Sequence, residues 1–84
     1  MSDSRSRIKQ VFREESGGIV ATLIRVFDDF NLAEDSVQDA FETVLTRWPV
    51  EGFPRNPGAW VTMTARHKAI DRLWRLRVHA DRVD

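Results

Sequence analysis

The run from Val37 to Trp48 constrains this chain most. Val37, Phe41, Val44, Leu45 and Trp48 fall at i, i+4, i+7, i+8 and i+11, the period of a helix with one buried face. The other face of the same helix carries Asp35, Gln38, Asp39, Glu42 and Thr46. Asn31 is a favoured N-cap, Glu34 three residues on completes a capping-box-like pair, and Asp35 complements the helix dipole. The sequence therefore predicts a helix that starts at Asn31 and stops at Pro49.

The flanking segments read as helices too. Ile8, Val11 and Phe12 recur at helical spacing in a first segment that Gly17 and Gly18 are expected to weaken or end, since each glycine costs about 1 kcal/mol relative to alanine. Ile19, Val20, Leu23, Ile24 and Phe27 form a second stripe directly after them. All three prolines lie between Pro49 and Pro57, which predicts a stiff loop. Asn56 then caps a last helix whose first position is Pro57, where a missing N–H is harmless. That helix is predicted to run to about Val78, with Val61, Ala65, Ala69, Leu73 and Leu76 facing inward and the two alanines permitting close packing. The expected fold is all-α, a small bundle of three to four helices forming one domain over residues 1–84, with no repeat or interior boundary.

Composition narrows the chemistry. There is no cysteine and there are only two histidines, so neither a disulfide framework nor a structural zinc site is expected, and the same absence fits a reducing cytoplasm. The opening "MSDSRSRIKQ" has no apolar run after its basic residues, and no stretch is long enough to span a bilayer. His67 and Asp71, one helical turn apart near Thr64, offer no convincing nucleophile, and no phosphate-binding glycine loop is present. The chain is read as a non-enzyme with no metal and no cofactor.

Charge is more informative. The formal net charge is zero, yet every charged residue from Asp28 to Glu42 is acidic, and from Arg55 to Arg77 six basic residues stand against Asp71 alone. Such separation predicts two surfaces of opposite potential, each suited to a different partner. Arg66, Lys68, Arg72, Arg75 and Arg77, close to Trp60, His67 and Trp74, combine cations for a phosphate backbone with aromatic faces for bases, the ingredients of single-strand binding. The alternative is a solvated helix whose arginine stems cover apolar surface while its tryptophans fill the core.

"LAEDSVQDAF", followed after a proline-containing loop by "PGAWVTMTARHKAIDRLWR", resembles the second conserved region of bacterial RNA polymerase sigma factors of the compact extracytoplasmic-function group, over roughly residues 11–77. The resemblance implies a small helical bundle whose acidic helix docks on the clamp helices of the largest polymerase subunit. Its loop and last helix would bind the minus-ten promoter element, help melt it and capture an unstacked base of the non-template strand. Matched position by position, Asp35, Gln38, Asp39 and Glu42 would contact polymerase, with Phe41 turned inward.

For DNA, the resemblance implies a base pocket formed by Glu51, Gly52, Phe53, Pro54 and Arg55, in which Phe53 either stacks on the base or caps the bundle core. Arg66, Lys68, Arg72 and Arg75 are the candidates for backbone contacts, some of them facing solvent instead, and Asp71 would orient a neighbouring arginine such as Arg75 rather than touch DNA. Trp60 is either a melting wedge or packing. His67 stands where the commoner family pattern has asparagine, so the preferred base does not carry over. An anti-sigma protein is a further partner implied by the resemblance alone. The terminal "RVHADRVD" lies where a linker to a second promoter-reading domain would begin, so the expectation is a cut chain or partial homologue, the N-terminal part of a longer sigma factor, that binds DNA weakly. The rival reading is a helical protein-interaction module that does not bind DNA.

Overall fold

A computed structural model describes the backbone of residues 3–82 and the side chains of residues 4–78. It contains three helices, α1 (Asp3–Phe27), α2 (Phe30–Glu51) and α3 (Pro57–Arg82), with no strand among the described residues. The expected all-α bundle is the fold that forms. The linker expected after Arg77 is helical as far as Arg82; Val83 and Asp84, like Met1 and Ser2, lie outside the described residues.

Gly17 and Gly18 do not interrupt α1, contrary to the expectation from sequence. Anchors on either side, Ile8, Ile19 and Leu23, are all buried, and tertiary burial offsets the local glycine cost. Both glycines are exposed, and the Thr22 hydroxyl donates to the Gly18 carbonyl at 2.9 Å. Asp28 then ends the helix in the left-handed region at φ 53°, its N–H donating to the Ile24 carbonyl at 2.7 Å.

Asp29, not Asn31, is the N-cap of α2. Its backbone is extended and its Oδ1 accepts from the Leu32 N–H at 3.0 Å. The acidic side chain caps as well as asparagine would, and starting there adds Phe30 and Asn31 to the helix. Nor does Pro49 stop α2. Proline removes one intrahelical donor, and here it does so only two residues before the helix ends at Glu51. The final turn is closed by the Gly52 N–H on the Trp48 carbonyl at 2.8 Å and by a two-pronged Arg47–Glu51 pair at 3.0 and 3.1 Å. Gly52 takes φ 94°, a conformation that suits glycine.

α3 begins as the sequence predicts: the Asn56 Oδ1 accepts from the Ala59 N–H at 3.1 Å, and Pro57 holds the first position. α2 is the middle helix, packed against both neighbours, while α1 and α3 touch less. Phe12 meets Phe41 edge-on at 4.8 Å across α1 and α2, and Trp48 meets Trp60 edge-on at 5.4 Å across α2 and α3. Val61, Ala65 and Ala69 are fully buried, as expected of an inward stripe. Leu73 and Leu76 are exposed instead; together with Asp29 and Leu32 at the start of α2 they line an open groove. Where α1 nears the start of α3, the Glu15 carboxylate lies so close to Gly58 that a Cβ there would stand 2.7 Å from Oε1. A carboxylate at a helix N-terminus complements its dipole. Two buried polar atoms, Ser36 Oγ and Trp48 Nε1, have no hydrogen-bond partner among the described residues.

Candidate functional site

The acidic helix presents its polar stripe outward. Asp35, Gln38 and Glu42 are exposed, and Asp39 is half-buried. Because successive residues turn by about 100°, Gln38 lies on the α1 side of the stripe and Asp39 on the α3 side. Gln38 and Glu42 border an open groove of about 1000 Å³ between α1 and α2. Phe12, Phe41 and Leu45 supply its apolar surface, and Arg5, Lys9 and Arg13 of α1 line it as well. Thus a carboxylate of the stripe already has cations nearby, although Glu42 itself forms no ion pair among the described residues.

On the α3 side the expected separation of charge fails at one point. The Arg72 Nε and Nη2 donate to the same Asp39 oxygen, Oδ2, at 2.9 and 2.7 Å, and Arg72 Nη1 lies 3.9 Å from Asp35. Two carboxylates assigned to polymerase and an arginine assigned to DNA therefore hold one another across α2 and α3. Helical geometry explains it: Arg72 follows Ala65 and Ala69 along the inward stripe, just beyond the buried core, and so meets the flank of α2. Asp71 is exposed and forms no ion pair with Arg75 among the described residues, so the orienting role expected of it is not seen.

The remaining basic residues do not share one face. Arg66 and His67 are exposed and line a shallow groove with Met63 and Ile70. Lys68, half-buried, and Arg75, exposed, lie on the flank nearer α2, and Arg75 lines the groove that holds Arg72 and Leu76. Between the flanks runs a stripe of which sequence reasoning singled out only His67 and Trp74: Met63, His67, Ile70 and Trp74, at i, i+4, i+7 and i+11, all exposed, with Trp74 61% exposed. The spacing is visible in the sequence, which already favours the stripe of Val61, Ala65 and Ala69 as the inward one. The alanine-lined stripe faces inward because small side chains let α2 approach.

The loop aromatics are engaged rather than free. Phe53 is half-buried with its ring 5.1 Å from Trp48, and the Arg7 guanidinium sits 4.0 Å from its centroid. Trp60 is half-buried against Trp48, with the Arg47 guanidinium 5.4 Å from its ring. Both rings thus lie against Trp48. Pro54 is half-buried and Arg55 exposed beside them. Arg7 and Arg47 gave no signal in sequence, since each lies far along the chain from the ring it covers. The Arg47 hydrogen bonds hold the Glu51 carboxyl below the usual range and raise the guanidinium above its own. Among the described residues no cluster is arranged to hold a metal ion, and no helix is long and apolar enough to cross a membrane.

Comparison with known proteins places this geometry in a family. The sequence profile described as sigma-70 region 2 matches residues 11–78, all of α2 and most of α1 and α3. An uncharacterized protein of Rhizobium meliloti (strain 1021) is 38% identical over 56 residues, a match that covers 67% of this chain and 13% of that relative. The chain thus spans only a small part of that relative's length. No solved structure matches. With the profile extending across all three helices of the bundle, the chain belongs to the sigma-70 region 2 family.

Proposed function

We propose that this bundle is a transcription-initiation module of the extracytoplasmic-function type. In this reading the outward stripe of α2 docks on the clamp helices of core RNA polymerase, and α3 with its preceding loop holds the opened minus-ten strand. The observation that supports it most is the family match across α2 and α3 together with their surfaces: Asp35, Gln38 and Glu42 exposed on one, Arg66, His67 and Arg75 exposed on the other. No bond chemistry is required. A protein that binds the unpaired strand better than the duplex shifts the equilibrium toward opening, most easily at flexible pyrimidine–purine steps.

Arg66, Lys68, Arg72 and Arg75 supply backbone contacts in this reading, and Arg55 stands at the mouth of the loop. Phe53 and Trp60 act by holding the loop and the start of α3 in place on Trp48. His67 and Trp74 are the aromatic groups best exposed for a base to stack on. An anti-sigma protein would compete for the same α2 stripe or its neighbouring groove, and such a module works in the cytoplasm.

A protein-only interaction module is the second reading, and the exposed apolar stripe of Met63, Ile70 and Trp74 favours it. Two measurements separate them. Glu42→Lys, placed away from Arg72, should weaken capture of core polymerase, and equal capture of both proteins would remove the α2 assignment. Arg66→Glu should abolish binding of a non-template minus-ten oligonucleotide in fluorescence anisotropy. Wild-type protein indifferent to that oligonucleotide would favour the protein-only module.

A further inference from the structure

Arg72 belongs to both proposed surfaces. It is the one basic residue of α3 that is ion-paired among the described residues, and its partners, Asp39 and Asp35, are two of the four positions assigned to polymerase. We propose that this pair is a latch that couples the two surfaces: while Asp39 holds Arg72, the guanidinium is withheld from phosphate, and a cationic partner that takes the carboxylates releases it. The inference rests on the proposed function and adds to it a route by which engagement of one surface changes the affinity of the other.

Three observations carry it. Both Arg72 donors converge on Asp39 Oδ2, so Oδ1 accepts no hydrogen bond among the described residues and remains available to a second cation. The pair is not sealed in the core: the side chains of Arg72, Asp39 and Asp35 are 36%, 31% and 59% exposed, so a partner can reach the carboxylates and the freed guanidinium can reach solvent. The residues beyond it are not packed into the core: Leu73 and Leu76 are exposed and line an open groove. A pair that is only partly shielded from solvent holds less tightly than one sealed in the core. Competition for it is therefore graded, and an incoming basic surface can displace Arg72 at small cost. By linkage the coupling is reciprocal: a phosphate that draws Arg72 away leaves Asp39 freer for polymerase.

The test uses the 84-residue chain and measures two affinities for each variant, for a non-template minus-ten oligonucleotide by anisotropy and for core RNA polymerase by titration. Asp39→Asn should tighten oligonucleotide binding about two- to fivefold and weaken polymerase binding. Arg72→Gln should do the reverse. Thermal melts of every variant establish that the bundle is intact. Opposite shifts in the two affinities support the latch. If Asp39→Asn and Arg72→Gln each lower both affinities, or Asp39→Asn leaves oligonucleotide binding unchanged, the pair merely braces α3 and the latch is overturned while the proposed function stands. If wild-type protein binds neither probe, both fall.

Discussion

Phe53 lies against Trp48, ring centroids 5.1 Å apart and planes at 52°, and Arg7 of the first helix covers it at 4.0 Å. An aromatic on a proline-rich loop thus ties all three helices together at one end of the bundle, since Trp48 also meets Trp60. Phe53→Ala should cost about 1–3 kcal/mol in urea denaturation, below the figure for a fully buried phenylalanine because the ring is only half-buried. Phe53→Leu should recover most of it. A stability unchanged by Phe53→Ala would mean that the ring is held for a ligand rather than for the core.

Gly17 and Gly18 sit in the middle of α1 with nothing within 4 Å of an added Cβ. Replacing either by alanine removes a helix-interior glycine without a clash, so each should stabilise by about 0.5–1 kcal/mol. The double variant should melt several degrees higher. A lower melting temperature would show that α1 needs a break there.

The two left-handed positions should respond with opposite signs. Gly52 at φ 94° suits glycine, so Gly52→Ala should destabilise by about 1–3 kcal/mol even though the space around it is open. Asp28 at φ 53° is a non-glycine residue in the C′ position of α1, and Asp28→Gly should stabilise slightly. Chemical denaturation of both variants checks the pair, and a gain from Gly52→Ala would contradict the cap.

The Arg47–Glu51 bonds make a small pH-dependent contribution. They depress the folded carboxyl below its unfolded value, so the stabilisation is present above the unfolded value and is lost as pH falls through the depressed one. Both groups are fully exposed, and the effect should be correspondingly slight. Wild type should exceed Glu51→Gln in melting temperature at neutral pH, and the gap should close in acid below the ordinary glutamate range. A gap that persists in acid would assign Glu51 another role.

Much of this was legible in the sequence where a signal is local. The stripe from Val37 to Trp48, the Asn56–Pro57 start of α3 and the burial of Val61, Ala65 and Ala69 all follow from spacing and cap chemistry. The errors came where two local signals competed or where tertiary contact overrode one. Asp29 and Asn31 are both good caps, and no local rule chooses between them; Gly17, Gly18 and Pro49 are helix breakers overruled by packing and by position. For the candidate site, the identity of the acidic stripe was readable, its isolation was not. Which α3 arginine meets α2 depends on where the core ends, and no spacing rule reports that Arg72 reaches Asp39 while Arg75 does not. Arg7 over Phe53 and Arg47 over Trp60 were illegible for the same reason.

The most direct measurement is the salt dependence of binding between the 84-residue chain and a single-stranded non-template minus-ten oligonucleotide. With contacts from Arg66, Lys68 and Arg75, and from Arg72 where Asp39 releases it, the slope of log affinity against log salt should be about −2 to −3, taking about 0.7 per phosphate contact on a single strand. Removal of Arg66 should make it shallower by a little under one. Binding that ignores salt, or no binding at any salt, would contradict the claim that this helical bundle grips an opened strand through its last helix.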